Sequence, residues 1–296
     1  MTCVDNAVIL AGGTGARFAP LSYDKPKGLI EVKGEVLLER QIRQLQAAGV
    51  NDIYIVTGYK KEHFYYLKDK YDVQLIDNPA YARQNSAASL WLARGVIRNS
   101  FICSADNYFL SNPFRLGLEK AGSYYAGQYS QGETDEWGIA TDQEGYIDRV
   151  TRSAKNSWYM LGHAFWREDF SRRFFQIMEK KGDAASGKYW EEIFAENLDL
   201  LKMRLARFPA GYIQEFDSLE DLRQFDKSYQ KDSRSYILKK CAKILATDEG
   251  QLDRIKPIKG RGNEAIGFHF RHDERLYCYI YQLGRVIRCQ RLGHPY

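Results

Sequence analysis

Ala7-Val8-Ile9-Leu10-Ala11-Gly12-Gly13-Thr14-Gly15-Ala16-Arg17, continued by Pro20 and by Lys25-Pro26-Lys27, is the stretch on which the reading of this chain turns. Ala7 to Ala11 is a short apolar run of the kind that forms a buried strand. It empties into three glycines, which let a backbone turn tightly and approach a ligand without Cβ interference. Their N–H groups, with Arg17, Lys25 and Lys27 close behind, predict a cradle for a polyphosphate. Spacing excludes two familiar alternatives. A dinucleotide loop, G-x-G-x-x-G, would need glycine where Phe18 stands, and a P-loop would need its second glycine at Arg17 or Phe18.

Working outward, 296 residues suffice for one large α/β domain with a small appendage. No basic segment followed by an apolar stretch opens the chain, and no apolar run approaches the roughly 20 residues that span a bilayer. The cysteines at 3, 103, 241, 278 and 289 are odd in number and lack C-x-x-C spacing. They predict reduced thiols in a cytoplasmic protein, with neither a disulfide framework nor a zinc site. The net charge of +5 is uneven: residues 229–296 hold 14 basic and 7 acidic side chains, the rest of the chain 29 and 31. That asymmetry predicts a boundary near Ser228, separating a domain over 1–228 from a basic α+β extension over 229–296.

Periodicity predicts alternating strands and helices. Strands are expected at 52–57, 73–76 and 101–106, with a helix carrying Ile42, Leu45 and Ala48 inward and another carrying Leu90, Leu92 and Val96 inward. Asp106 closes its strand, and ligands of open α/β sheets sit off the carboxyl ends of the strands. Strands of a mixed sheet are read at 124–140, 146–152 and 157–166, and helices at 168–181, 189–200 and 219–225. The expected fold is a doubly wound mixed α/β sheet. The extension reads as an amphipathic helix, apolar at 237, 238, 241, 244 and 245, then short strands with turns at 260–263, 272–274 and 283–284.

With those elements placed, the strand followed by G-G-x-G-x-R, P and P-K resembles the signature of nucleotidyltransferases. The chain is similar to the bacterial CTP:phosphocholine cytidylyltransferases over roughly residues 5–227. Beyond the glycine loop and Lys25-Pro26-Lys27-Gly28-Leu29, the likeness rests on Val56-Thr57-Gly58-Tyr59, Asn85 to Leu90, and Ala105-Asp106-Asn107-Tyr108. Glu136-Trp137, Tyr189-Trp190 and Phe216-Asp217-Ser218 complete it. Between Asn85 and Ser89 the aromatic character of the family is missing. The resemblance implies a Rossmann-like nucleotidyltransferase fold and nucleotide binding by Leu10, Ala11, Gly12, Gly13, Thr14, Gly15, Asn85, Ser86, Ser89 and Ala105, with base contacts from the Asn85 segment.

It also implies a reaction in which a phosphate oxygen of phosphocholine attacks the α-phosphorus of CTP and pyrophosphate leaves. A phosphomonoester loses its second proton near about pH 6, so the nucleophile is ionised without a Ser-His-Asp device. The remaining work is positioning and charge neutralisation. Arg17 and Lys27 are expected to hold phosphates, and Asp106 and Asp217 to ligate Mg²⁺, whose hard-oxygen preference they suit. Helix capping is the competing role for both aspartates. Trp137, Tyr189 and Trp190 are expected to cage a trimethylammonium by cation–π attraction, with Glu136 and Glu191 as countercharge; core filling is the alternative in a chain that is 14% aromatic. Trp158, Trp166 and His163 are assigned to the core.

The extension also resembles, over about 234–292, the start of a choline-kinase-like amino lobe. It lacks a basic residue in the strand Tyr279-Ile280-Tyr281 and a downstream catalytic loop, so no kinase activity is expected. It is read as a packing, homodimerisation or partner-docking element rather than a nucleic-acid binder. Three functional readings stand at this point: cytidylyl transfer to phosphocholine, the same transfer to phosphoethanolamine or 2-aminoethylphosphonate, and a non-catalytic nucleotide-binding regulator. No membrane partner is expected.

Overall fold

The computed structural model describes residues 4–260 and 264–289. In chain order the strands begin with β1 (Asn6–Leu10), β2 (Glu31–Val32), β3 (Glu35–Val36), β4 (Ile53–Thr57), β5 (Gln74–Asp77) and β6 (Ser100–Ser104). There follow β7 (Asn107–Phe109), β8 (Tyr124–Thr134), β9 (Gly138–Thr141), β10 (Ile147–Thr151), β11 (Ala154–Trp166), β12 (Arg204–Arg207) and β13 (Ile213–Glu215). The last are β14 (Asp253–Lys259), β15 (Ala265–His272), β16 (Arg275–Ile280) and β17 (Arg285–Arg288). The α-helices are α1 (Leu21–Asp24), α2 (Leu37–Ala47), α3 (Tyr66–Tyr71), α4 (Ser86–Ala93) and α5 (Glu168–Lys181). After them come α6 (Asp183–Ser186), α7 (Trp190–Ala195), α8 (Leu219–Phe225) and α9 (Tyr236–Ile244).

Two compact units divide the chain. One holds the residues up to 13 together with 37–215, the other 14–36 together with 216 onward. The position near Ser228 at which charge changes sign falls inside the second.

The first unit is built on a mixed sheet ordered β10-β9-β11-β6-β1-β4-β5, with β8 on β11 and β12 on β8. β1 runs parallel to both β4 and β6. Ala7, Val8 and Ile9 are wholly buried, as expected of a parallel strand covered on both faces. α2 turns Leu38, Ile42 and Leu45 inward, fully buried at helical spacing. α4 does the same with Ala87, Leu90 and Ala93, while Leu92 is 40% exposed. Leu92 was expected inside, but two positions from Leu90 is a rotation of roughly 200°, to the opposite side of the helix.

β11 pairs antiparallel with β6, β8 and β9 and so joins the parallel half of the sheet to the antiparallel half. The helix expected over 189–200 stops at Ala195. The Asn197 amide donates back to Ile193 O at 2.7 Å, a local bond that competes with continued helix. His163 is a core residue as expected. It lies 3.6 Å from Cys103 Sγ and 3.1 Å from the Tyr124 hydroxyl, and burial pushes its imidazole down to about 3, so it stays neutral. Trp166 is fully buried.

The second unit contains a four-stranded antiparallel sheet, β14-β15-β16-β17, whose inner face buries Phe268, Phe270, Tyr277 and Tyr279. α9 buries Ile237, Leu238, Cys241 and Ala242; Ile244, expected inside, sits at the last helical position and is exposed. Residues 14–36 are bound into this unit by specific bonds. The Tyr229 hydroxyl donates to Glu31 O at 2.6 Å, Lys33 N to Asp226 Oδ2 at 2.7 Å, and Ser235 Oγ to Asp24 Oδ2 at 3.0 Å. The Tyr23 and Tyr281 rings stack with centroids 3.9 Å apart. The turn expected at 260–263 lies outside the described residues from position 261 on.

Candidate active site

In the first unit, the parallel register of β1 and β6 sets Leu10 opposite Ser104. Gly12-Gly13 and Asp106 therefore leave the same end of neighbouring strands, and Ala105 N donates to Leu10 O at 3.1 Å. The loop is anchored by Ala11 N to Val56 O at 2.8 Å and by Tyr59 N to Gly12 O at 3.1 Å. A Cβ at Gly13 would meet nothing within 4 Å, so its backbone is open to an approaching group. Gly58 is the reverse: a Cβ there would lie 2.6 Å from Tyr81 Cβ and 2.8 Å from Gly12 O. Only glycine permits this approach. Asp106 is half-buried, one residue beyond the buried Ala105.

The N-terminus of α4 is stitched to the segment before α7. Asn85 N donates to Ser186 O at 3.1 Å, Asn85 Nδ2 to Gly187 O at 2.6 Å, and Ala87 N to Lys188 O at 3.3 Å. Trp190 N donates to Ser86 Oγ at 3.0 Å. Ser89, buried, accepts from Asn78 Nδ2 at 3.1 Å. Asn85 and Ser86 are thus brought beside Tyr189-Trp190-Glu191, with Trp190 104 positions beyond Ser86. No spacing rule announces that neighbourhood.

Around Glu191 a set of rings and carboxylates gathers. Trp190 is buried, stacked on Tyr125 at 5.2 Å and edge-on to Trp166 at 5.1 Å. The Tyr125 hydroxyl donates to Glu191 Oε1 at 3.1 Å. Burial pushes the Glu191 carboxyl up to about 7. The Tyr125 phenol is raised by burial and then by the negative charge of Glu191, Glu215 and Glu136; Tyr159 is raised by burial, then by Glu136 and Glu215. Three carboxylates therefore act on two buried or half-buried tyrosines. Trp137 is half-buried, with the Arg152 guanidinium 5.3 Å from its ring centroid, and Arg152 is also paired with Glu192. Tyr189 is 52% exposed. Tyr125, Tyr159 and Glu215 were not singled out in the sequence; they lie on strands where alternating aromatics signal core as readily as a site.

The second unit carries the cations. Gly15 takes φ +58°, the left-handed region glycine favours, between half-buried Thr14 and the exposed Arg17. Arg17 Nη1 lies 2.8 Å from Asp217 Oδ2, and Lys27 Nζ lies 3.4 Å from Asp217 Oδ1. Lys27 is mostly buried, 14% exposed, whereas Lys25 is exposed. The cap of α8 is Ser218, which accepts from Asp221 N and is bonded in return by the Asp221 carboxylate. With that role taken, the Asp217 side chain turns to the two cations.

The donors suit a hard cation. Asp106 in the first unit and Asp217 in the second each offer carboxylate oxygens, the donor type that Mg²⁺ takes.

Comparison with known proteins gives four findings. Residues 7–121 match the MobA-like NTP transferase domain. The chain is 32% identical over 231 residues to the choline-phosphate cytidylyltransferase of Streptococcus pneumoniae, covering 77% of this chain and 99% of that one. It is 31% identical over 229 residues to the 2-aminoethylphosphonate cytidylyltransferase of Lancefieldella rimae, covering 76% and 93%. Among solved structures, the CTP:phosphocholine cytidylyltransferase of Streptococcus pneumoniae superposes with a TM-score of 0.72 over 76% of this chain and 99% of that one, at 32% identity. No helix among the described residues is long and apolar enough to cross a membrane.

Proposed function

Because this chain belongs to the cytidylyltransferase branch of the nucleotidyltransferases, we propose that it transfers CMP from CTP to phosphocholine, giving CDP-choline and pyrophosphate. The bond formed joins a phosphocholine oxygen to the α-phosphorus of CTP. The bond broken is that from the α-phosphorus to the bridging oxygen of the β-phosphate, and its electron pair leaves with pyrophosphate. The acceptor is already ionised at neutral pH, so no side chain need remove a proton.

The observation that supports a cationic acceptor is the Glu191 carboxylate held by the Tyr125 hydroxyl at 3.1 Å, with Glu136 and Glu215 adding negative charge that raises Tyr125 and Tyr159. Negative charge among aromatic rings suits a cationic headgroup. The Arg152 guanidinium, 5.3 Å from the Trp137 ring centroid, supports a cation on this ring face. Trp190 contributes by holding Tyr125 in place through stacking, not by offering an open face.

The donor side rests on the glycine loop and the two cations. Backbone N–H groups of Gly12 to Gly15 would receive phosphate oxygens, and Asn85, Ser86 and Ser89 would line the nucleoside. Arg17 and Lys27, which hold Asp217 here, would turn to the triphosphate. Lys27, mostly withdrawn from water, is the better placed to stabilise the charge that develops on the leaving group. Asp106 and Asp217 would hold Mg²⁺, which supplies charge neutralisation at the phosphates when bound. Within the second unit, Tyr229, Asp226, Ser235 and Tyr281 bind and buttress the segment carrying Arg17 and Lys27.

The test is a competition. Equal phosphocholine, phosphoethanolamine and 2-aminoethylphosphonate are offered together with limiting CTP, and consumption is followed by phosphorus NMR. Preferential appearance of CDP-choline supports the reading. Preferential consumption of a primary amine acceptor transfers the site to that acceptor class.

A further inference from the structure

The C-terminal sheet gathers three soft donors that sequence spacing does not connect. His269 on β15 lies directly opposite Cys278 on β16. Cys289 follows β17, and its N–H donates to Leu276 O at 2.9 Å, which continues the ladder and sets it opposite Leu276. Side chains two apart on a strand share a face, so His269, Cys278 and Cys289 all project from the side opposite Phe268, Phe270, Tyr277 and Tyr279. One ligand atom from each, His269 Nδ1 and the two Sγ atoms, lies within 4.8 Å of the others. Cys289 Sγ is 4.0 Å from His269 Nδ1. Each residue is half-buried, sheltered yet reachable. No other such triad of His, Cys or acidic donors converges among the described residues.

We propose that His269, Cys278 and Cys289 form a binding site for Zn²⁺, with water in a fourth position. Two thiolates and an imidazole are the donors this ion prefers, and bonds of about 2.0–2.3 Å in a tetrahedron place ligand atoms about 3.5–3.8 Å apart. The observed spacing closes to that by small side-chain rotations, with the strands held by the buried aromatic face behind them. On binding, each cysteine releases its proton to solvent and forms a sulfur–metal bond, while neutral His269 donates its Nδ1 lone pair. The site lies on the face of β15–β17 and uses none of the residues assigned to CTP, phosphocholine or Mg²⁺. It is a ligand set of a different chemical class from theirs.

The experiment titrates the full-length chain, purified under reductant and stripped of metal, with Co²⁺ as the spectroscopic probe and then with Zn²⁺. Expected are a near-ultraviolet thiolate-to-cobalt band and visible d–d bands that saturate at one equivalent and vanish when Zn²⁺ is added. Cys278→Ser and Cys289→Ser should each weaken Zn²⁺ binding by more than the roughly 10–100-fold that changes around a metal site produce. Cys278→His should restore binding with a weaker thiolate band. His63→Ala, in the other unit, should bind like the parent. Far-UV circular dichroism confirms that each variant is folded. Absence of the thiolate band, its persistence in the double serine variant, or a Cys278–Cys289 disulfide that survives reductant would overturn the proposal.

Discussion

The Tyr125 hydroxyl donates to Glu191 Oε1 at 3.1 Å, joining β8 to the first turn of α7 around a carboxyl whose pKa burial raises to about 7. The native chain therefore holds, between pH 4.5 and about 7, a proton that the unfolded chain has released. The stabilising contribution is complete below 4.5 and is lost as pH rises through about 7. Above that, Glu191 is a half-buried anion.

Glu191→Gln removes that anion. The variant should melt higher than the parent at pH 8 and equally at pH 4. Its KM for phosphocholine should rise about 10-fold with kcat little changed, as expected when binding shared by ground and transition states is lost. The parent's KM should fall between pH 6 and 8 more steeply than the variant's, and parallel profiles would remove Glu191 from the acceptor site.

Arg152 occupies the face of Trp137 with its own guanidinium and pairs with Glu192. Arg152→Gln should free that ring face and lower the KM for phosphocholine by about 2–5-fold, in line with about 0.5–1 kcal/mol for an exposed cation–π contact. A raised KM would mean that Arg152 serves the acceptor rather than excludes it.

Asp217 faces Arg17 and Lys27, and Ser218 has taken the helix cap. Asp217→Asn should therefore leave the thermal transition within a few degrees of the parent while lowering kcat at least about 100-fold and raising the Mg²⁺ needed for half-maximal rate. Lys27→Ala should lower kcat about 10²–10³-fold, the usual loss of a charge-stabilising donor. Unfolding of Asp217→Asn with normal residual kcat would make the aspartate structural.

How far the sequence carried this account depends on distance along the chain. The strand-loop of Ala7 to Arg17 was legible because its signal is contiguous: apolar run, glycines, arginine. The same holds for Asp106 at a strand end and for His163 in an apolar strand. The Asp217 capping alternative needed the structure, since Ser218 and Asp221 satisfy the same local pattern. Leu92 was misplaced because apolar character was read without the helix phase, whereas Ile244 is in phase but stands at the last helical position, where it is exposed. Tyr125 and Glu191 could not be paired by any spacing, and residues 14–36 gave no sign that they join the basic extension. The convergence of His269, Cys278 and Cys289 arises from strand register alone, which is why the spacing of the cysteines predicted no zinc site.

Gly58 touches the glycine loop from outside the motif that identified it. Gly58→Ala must displace either Tyr81 or the Gly12 carbonyl, a clash that costs about 1–3 kcal/mol in packed surroundings. The KM for CTP should rise while that for phosphocholine holds. An equal rise in both would place the damage in the fold rather than the loop.

The central claim is the pairing of CTP with phosphocholine, and steady-state pyrophosphate release with Mg²⁺ tests it most directly. CTP, UTP, ATP and dTTP are each crossed with phosphocholine, phosphoethanolamine, 2-aminoethylphosphonate and a sugar 1-phosphate. The account predicts that kcat/KM is greatest for CTP with phosphocholine and collapses in Asp106→Ala. Turnover led by another nucleotide or acceptor, or undiminished in Asp106→Ala, would contradict it.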